Sequence, residues 1–448
     1  MALTIHGYRV SKTDIPNLTK LQTALTVRPY VPAVFVKPQF VPKYPVFKES
    51  EKYMYVPKHY GIQEYGQYGA STRDVPQTDA KYWEFAGAIR PAQQPVVDSF
   101  LKPEPHDGII SLQTGGGKTV CALYIASQLR VPTIVLVNST FLRDQWVDRI
   151  KAFLPHARIG TVQGETMDIE NKDVVVGMLQ TISMKELPPS TFTSIGLVVV
   201  DECHHIASEA FSQAIPKLTS KYMLGLSATP ERKDKLMYVI NWCLGPILYK
   251  SDAADKVDDK VKVQVIEFET DDAKFNEIIY NKSGVMFTSL MVNKVSDFEA
   301  RNKMLIELLE DVYEEKERQI LVLSDRVEHT KTLLQMLPEH IQKETGILSS
   351  GMKQAVRDEF CKSKRILIST YQLVKEGFDV ASLNTLLMAT SRPDVVQIVG
   401  RILRTEKHTR AVQPLILDVV DTAFRRQFHE RLKLYRERNY IMEKVSMK

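Results

Sequence analysis

The sequence predicts an α/β protein of two tandem lobes, each a parallel sheet with helices on both faces, preceded by a small Pro/Tyr-rich, β-containing N-terminal domain. Three observations predict it. Short, continuous apolar runs at 134–137, 174–177, Leu197–Val200, 320–323 and 366–369 read as strands buried on both faces. Helix-length patterns separate these runs, which is the rhythm of a parallel sheet with crossover helices. Residues 1–87 lack that rhythm.

In residues 1–87, Pro29, Pro32, Pro38, Pro42, Pro45 and Pro57 interrupt short Val/Phe/Tyr runs, which suits edge strands and extended loops better than helices. Tyr53, Tyr55, Tyr60, Tyr65 and Tyr68 interleave with Lys37, Lys43, Lys48, Lys52 and Lys58. Such a surface could stack bases and pair phosphates; equally, the tyrosines could pack a small domain onto its neighbour. Residues 88–250 form the expected first lobe. A charged stretch at 251–260 reads as an exposed linker. Strand-like runs at 261–268, 320–323, 366–369, 386–389 and 415–419 make the second lobe, 261–422. The remainder, 423–448, is a basic tail. There Phe424, Phe428, Leu432 and Tyr435 recur at helical spacing and draw one apolar stripe. Arg425, Arg426, Arg431, Lys433, Arg436 and Arg438 fall on the other faces, so the helix is expected to dock by its stripe. Its cations would then face solvent or a nucleic-acid backbone.

The chemistry starts at 113–119, Gln-Thr-Gly-Gly-Gly-Lys-Thr, between an apolar strand and an apolar helix. Beside Thr114, the glycines Gly115, Gly116 and Gly117 let backbone N–H groups converge as a nest for phosphate oxygens. Lys118 then reaches the β- and γ-phosphates of ATP, and the Thr119 hydroxyl can ligate Mg²⁺. The helix behind them adds its positive end. A strict phosphate loop has glycine where this chain has Leu112. About eighty residues on, Leu197–Val200 ends in Asp201-Glu202-Cys203-His204. Carboxylates at the C-terminal end of a parallel strand face the ligand. Asp201 is expected to hold Mg²⁺, and Glu202 to orient and polarise the attacking water.

From residue 90 to residue 404 the order of motifs resembles that of superfamily 2 helicases and translocases of the DExH type. The resemblance implies two RecA-like lobes and roles for particular residues. Arg90 and Gln93 resemble the segment that reads adenine. Gln145 and Trp146, then Gln180 and Thr181, resemble two stretches that touch the nucleic-acid backbone. Ser227 and Thr229, in Ser-Ala-Thr-Pro, resemble the motif that couples ATP to movement. Thr370 with Gly377 and Asp379, then Gln397, Arg401 and Arg404, resemble motifs V and VI of the second lobe. Arg401 and Arg404 lie three apart, so on a helix both could meet one phosphate. A guanidinium there stabilises the departing γ-phosphoryl group, worth about 10³–10⁵ in rate in related enzymes. Residues 224–232 are similar to the XPB-like branch, which includes phage branch-migration and poxvirus-type transcript-release helicases. That implies a monomeric DNA-dependent ATPase that remodels single-stranded, forked or branched DNA. A helicase acting on RNA or RNA–DNA hybrids is the alternative. No extra carboxylate cluster suggests a nuclease, and the intact Lys118, Asp201, Glu202 and Arg401 argue against an inert scaffold.

Composition agrees. The chain has 448 residues, 44% hydrophobic and 25% charged, which is globular. No apolar run approaches the roughly 18 residues that span a bilayer, and the first ten residues lack a signal-peptide core. Four scattered cysteines suggest a reducing, intracellular setting, in bacterial cytoplasm or in eukaryotic cytoplasm or nucleus. Net charge is only +5, but residues after Thr422 carry eight cations against three acids, a surplus equal to the whole.

Overall fold

The computed structural model describes residues 1–31, 40–113, 115–205, 208–228, 234–251, 257–281, 284–349, 351–375, 380, 382–403, 405 and 409–445. The chain divides into two compact units, Met1–Ser251 and Asp252–Lys448.

The first unit begins with β1 (Ala2–Thr4), β2 (Gly7–Ser11), the short pair β3 (Thr26–Val27) and β4 (Tyr44–Pro45), β5 (Lys48–Glu49), β6 (Tyr53–Val56) and β7 (Ala70–Ser71). Five of these make a sheet in the order β5-β6-β2-β1-β7. Its period-two alternation buries Tyr8, Val10, Met54 and Val56, which share one core with Ile109, Ile215, Leu218 and Met223 from the lobe that follows. Two buried cations fasten the junction. Lys58 pairs with Asp107 and donates to the carbonyls of Ser220 and Lys221. Burial pushes the Asp107 carboxyl up, but the charges of Lys58 and His59 prevail and hold it below the usual carboxylate range. Arg73 donates to the carbonyls of Phe192, Thr193, Ile195 and Thr219. The cationic surface expected here therefore loses Lys58, which is 4% exposed. Of the five interleaved tyrosines, Tyr60 packs on Trp242, and Tyr65 and Tyr68 pack on Tyr8.

The lobe that follows is built on β8 (Gly108–Ser111), β9 (Thr133–Val137), β10 (Ile159–Gln163), β11 (Thr166–Met167), β12 (Val174–Met178), β13 (Leu197–Val200), β14 (Tyr222–Ser227) and β15 (Ile247–Lys250). The order is β11-β10-β12-β9-β13-β14-β8-β15, parallel except for the β10–β11 hairpin. All four residues of β13 are buried, as a strand covered by helices on both sides must be. Its carboxyl end therefore delivers Asp201 and Glu202 to the same edge of the sheet as the loop after β8.

The second unit repeats the pattern with β16 (Lys262–Phe268), β17 (Ile320–Ser324), β18 (Thr345–Ile347), β19 (Ile366–Thr370), β20 (Thr385–Met388), β21 (Leu415–Asp421) and β22 (Ile441–Val445). The order is β18-β19-β17-β20-β21-β16-β22, with every neighbouring pair parallel. The tail differs from expectation in two ways. Its helix forms over Arg425–Glu437, with Phe424 and Tyr435 buried, but Arg431 is buried with them at 1% exposure. Its guanidinium grips the Asp418 carboxylate through two nitrogens at 2.7 and 2.9 Å and donates to the Ser391 hydroxyl and the Arg392 carbonyl. Asp418 is fully buried among apolar neighbours of β21 and requires a partner, and that requirement turns Arg431 inward. After the helix the chain adds β22 beside β16. Of the expected linker, residues 252–256 lie outside the described residues; Asp258 is buried against Arg410, and Asp259 and Lys260 are exposed.

Candidate active site

Between β8 and the helix Lys118–Leu129 the chain must reverse within a few residues. Gly115 (φ 86°) and Gly117 (φ 82°) take left-handed conformations that few other residues adopt, and Gly117 caps the helix. Gln93 leans on this turn. Its side-chain oxygen accepts the Arg90 N–H at 2.9 Å, and its amide nitrogen donates to the Gly116 carbonyl at 3.4 Å. A Cβ on Gly117 would collide with that amide. Gln93 is thus buried against the phosphate loop, while Arg90 is exposed.

The Lys118 ammonium lies 3.4 Å from a Glu202 carboxylate oxygen. Glu202 has φ 46°, a left-handed conformation that costs a non-glycine residue roughly 1–3 kcal/mol. The left-handed residue stands directly after β13, where its carboxylate meets Lys118. The second Glu202 oxygen lies 3.3 Å from Nδ1 of His204, which is also 3.3 Å from the Ser227 hydroxyl at the end of β14. Lys118, Glu202, His204 and Ser227 form one continuous polar path from the loop after β8 to the end of β14. Sequence reasoning did not assign His204. Its signal was the spacing, two residues beyond the second acid.

Asp201 points the other way. One oxygen accepts the Trp146 indole N–H at 2.8 Å, and the other accepts the Glu202 backbone N–H at 2.9 Å. Burial, and then the charge of Glu202, push its carboxyl above the usual range, against the weaker pull of Lys118. Asp201, buried beside the Glu202 carboxylate, is short of positive charge, and a divalent cation fits that deficit. Asp201 and the half-buried Thr119 are the residues that would hold Mg²⁺.

The expected backbone contacts fare unequally. Trp146 is 1% exposed and committed to Asp201, so it cannot face nucleic acid. A large indole on the core side of an amphipathic helix packs inward. Gln145, its neighbour, is half-buried on the helix Thr140–Phe153. Gln180 donates to the Asn138 carbonyl at 2.6 Å, and the Thr181 hydroxyl accepts the Gly164 N–H at 3.0 Å. Both hold loops at the carboxyl edge of the sheet. In the second unit, Thr370 ends β19, Gln397 is half-buried in the helix Val396–Val399, and Arg401 follows it, buried. The segment before that helix is braced from two sides. Arg392 pairs with Asp325, and Arg431 holds Ser391 and the Arg392 carbonyl. Thr114, Thr229, Gly377, Asp379 and Arg404 lie outside the described residues.

Comparison with known proteins agrees with this geometry. Residues 87–232 match the family model described as type III restriction enzyme, res subunit. A protein of Acanthamoeba polyphaga mimivirus, named as a candidate ATP-dependent RNA helicase, is 30% identical over 99% of this chain and 86% of its own length. An African swine fever virus protein with a similar name is 26% identical over 79% of this chain and 74% of its own length. Among solved structures, Mss116p bound to single-stranded RNA and AMP-PNP aligns with a TM-score of 0.58 at 17% identity, covering 80% of this chain and 75% of that one. Dbp5 of S. cerevisiae, bound to RNA and ADP BeF3, aligns at 0.55 and 16% identity over 80% of this chain and 89% of its own. The fold is that of tandem RecA-like lobes. No helix among the described residues is long and apolar enough to cross a membrane. Since the mimivirus relative aligns along nearly the whole chain, this protein belongs to the superfamily 2 helicases, enzymes that use ATP to unwind nucleic acid.

Proposed function

We propose that the chain is an ATP-driven motor that remodels forked or branched DNA, with residues 88–250 and 261–422 as its motor lobes. The observation that carries the motor reading is the path Lys118–Glu202–His204–Ser227, which ties the phosphate loop to the end of β14. In this reading the N–H groups around Gly115, Gly116 and Gly117 seat the phosphates, and Lys118 exchanges Glu202 for them. Glu202, released from that ion pair, takes the proton of the attacking water. Asp201 and Thr119 hold Mg²⁺, which when bound neutralises phosphate oxygens. Gln93 leaves Gly116 to meet adenine beside Arg90. Arg401 of the second lobe, with Arg404 and Gln397, stabilises the departing phosphoryl group. Gln145, Gln180, Thr181 and Thr370 line the track, and Ser227 and Thr229 report the state of the site to it.

RNA is the second reading, favoured because the mimivirus and swine fever virus relatives carry the name RNA helicase. ATP hydrolysis should be measured with single-stranded, duplex, forked and four-way DNA, and with matching RNA. Greatest stimulation by forked or four-way DNA is the expected result. Stimulation by RNA alone would transfer the assignment to the second reading, and stimulation by neither would remove the motor.

A further inference from the structure

The N-terminal sheet has one face committed to the core, and the composition of the other is unusual. Register places Lys48 opposite Tyr55, and Tyr55 opposite Arg9, in one row across β5, β6 and β2. Ser11 and Tyr53 form the next row on the same face. All five residues are half-buried, and each has a solvent side. The Arg9 guanidinium lies 4.8 Å from the centre of the Tyr53 ring, and His6 meets Tyr55 edge-on at 5.5 Å. Tyr53 and Tyr55 are two residues apart, so their rings repeat at about 6.6 Å along β6. That spacing suits bases splayed from an extended strand.

Charge on this face is one-sided. Glu49 pairs in register with Met54, which places it on the opposite face, where Lys12 holds it at 3.0 Å. Among the described residues no carboxylate pairs with Lys48. Across the junction the Lys217 ammonium is fixed by the carbonyls of Ile182, Ser183 and Lys185. Burial, and then Lys48 itself, lower the Lys217 ammonium's affinity for its proton, and the charge of Glu186 offsets them only in part.

We propose that the Lys48–Tyr55–Arg9 row, with Tyr53, is a docking surface for single-stranded nucleic acid outside the motor lobes, with bases on the tyrosines and a phosphate near Lys48. The proposal rests on the nucleic-acid motor reading and names where a strand is held beyond the track. Stacking of this kind is sequence-tolerant, because every base has a π-face.

The test uses the full chain with fluorescein-labelled dT20 and U20, read by anisotropy across salt concentrations. The double variant Tyr53→Leu/Tyr55→Leu should bind about 5- to 50-fold more weakly. Lys48→Gln, on an edge strand where folding is not at issue, should flatten the salt slope by roughly 0.7 for the one phosphate it no longer neutralises. Oligomers carrying 4-thiouridine should cross-link to the peptide containing Tyr53 and Tyr55. Variants that bind within two-fold of the parent with unchanged slope, and cross-links confined to the lobes, would overturn the docking surface while leaving the motor intact. A parent chain that binds neither oligomer would overturn the motor reading itself.

Discussion

Glu202 concentrates the demands on this site, since it is strained and paired with the lysine that phosphate must recruit. Glu202→Gln is expected to bind ATP and to lower turnover by at least a hundredfold, measured by phosphate release beside nucleotide binding. Turnover within a few-fold of the parent would remove the base assignment. Lys118→Ala should abolish turnover through lost phosphate binding. Asp201 makes a different prediction. Burial and Glu202 raise its carboxyl, so the folded chain holds this proton more tightly than the unfolded chain does. The stability it contributes is then fullest below the ordinary carboxylate range and is lost as pH rises through the raised value. Asp201→Asn should raise the thermal midpoint by about 1–3 °C near pH 7.5 while turnover collapses. Melting curves from pH 5 to 8 should show the parent falling behind the variant as pH rises; parallel curves would contradict the electrostatic account.

At the scale of elements, the tail helix is held by chemistry more than by its stripe. Arg431→Ala leaves the Asp418 carboxylate buried without its partner, a loss of roughly 3–5 kcal/mol in such pairs. Replacing both partners by apolar residues should recover much of it, and denaturant unfolding of the single and double variants decides the matter. The outward cations include Arg425 and Arg426, beside Lys433 and Arg436. Changing Arg425 and Arg426 to Gln should flatten the salt dependence of nucleic-acid binding by about 0.9 for each phosphate no longer neutralised, with the melting temperature unmoved. An unaltered slope would leave them as solvated charge. This helix also shows what was legible. Phe424 and Tyr435 announced themselves by spacing, but Arg431 did not, because its burial depends on an acid thirteen residues upstream. Strands β9, β12, β13, β17 and β19 were legible because burial on both faces demands unbroken apolar runs. β18, three residues long, and β22, with four of its five residues exposed, carry no such signal. In the site, the phosphate loop and the acids were legible from local spacing. The inward turn of Trp146 and the bridge through His204 were not, because each is completed by a residue more than twenty positions away, Asp201 and Ser227.

At the scale of the molecule, residues 1–87 behave as part of the first lobe. Their apolar face shares its core, and Lys58 and Arg73 satisfy Asp107 and six carbonyls that water would otherwise have to reach. A chain starting near Trp83 would expose that core and leave Asp107 without its ammonium partner. It is expected to be poorly soluble, or to melt at least 10 °C lower than the full chain. A truncated chain that melts with the parent would restore the picture of a separable module.

The place of β8 in its sheet bears on how the chain is made. Both of its neighbours, β14 and β15, come from more than a hundred residues further along. A ribosome adding about 5–20 residues per second needs roughly 5–30 s to supply them. Once residue 178 is made, β9, β10 and β12 have one another, whereas Ile109 and Ile110 still have no strand to lie beside. A nascent chain halted short of residue 222 would therefore carry the glycine turn on an unpaired apolar strand, open to chaperones and to neighbouring nascent chains. The segment that seats phosphate is thus among the last to be locked in place during synthesis.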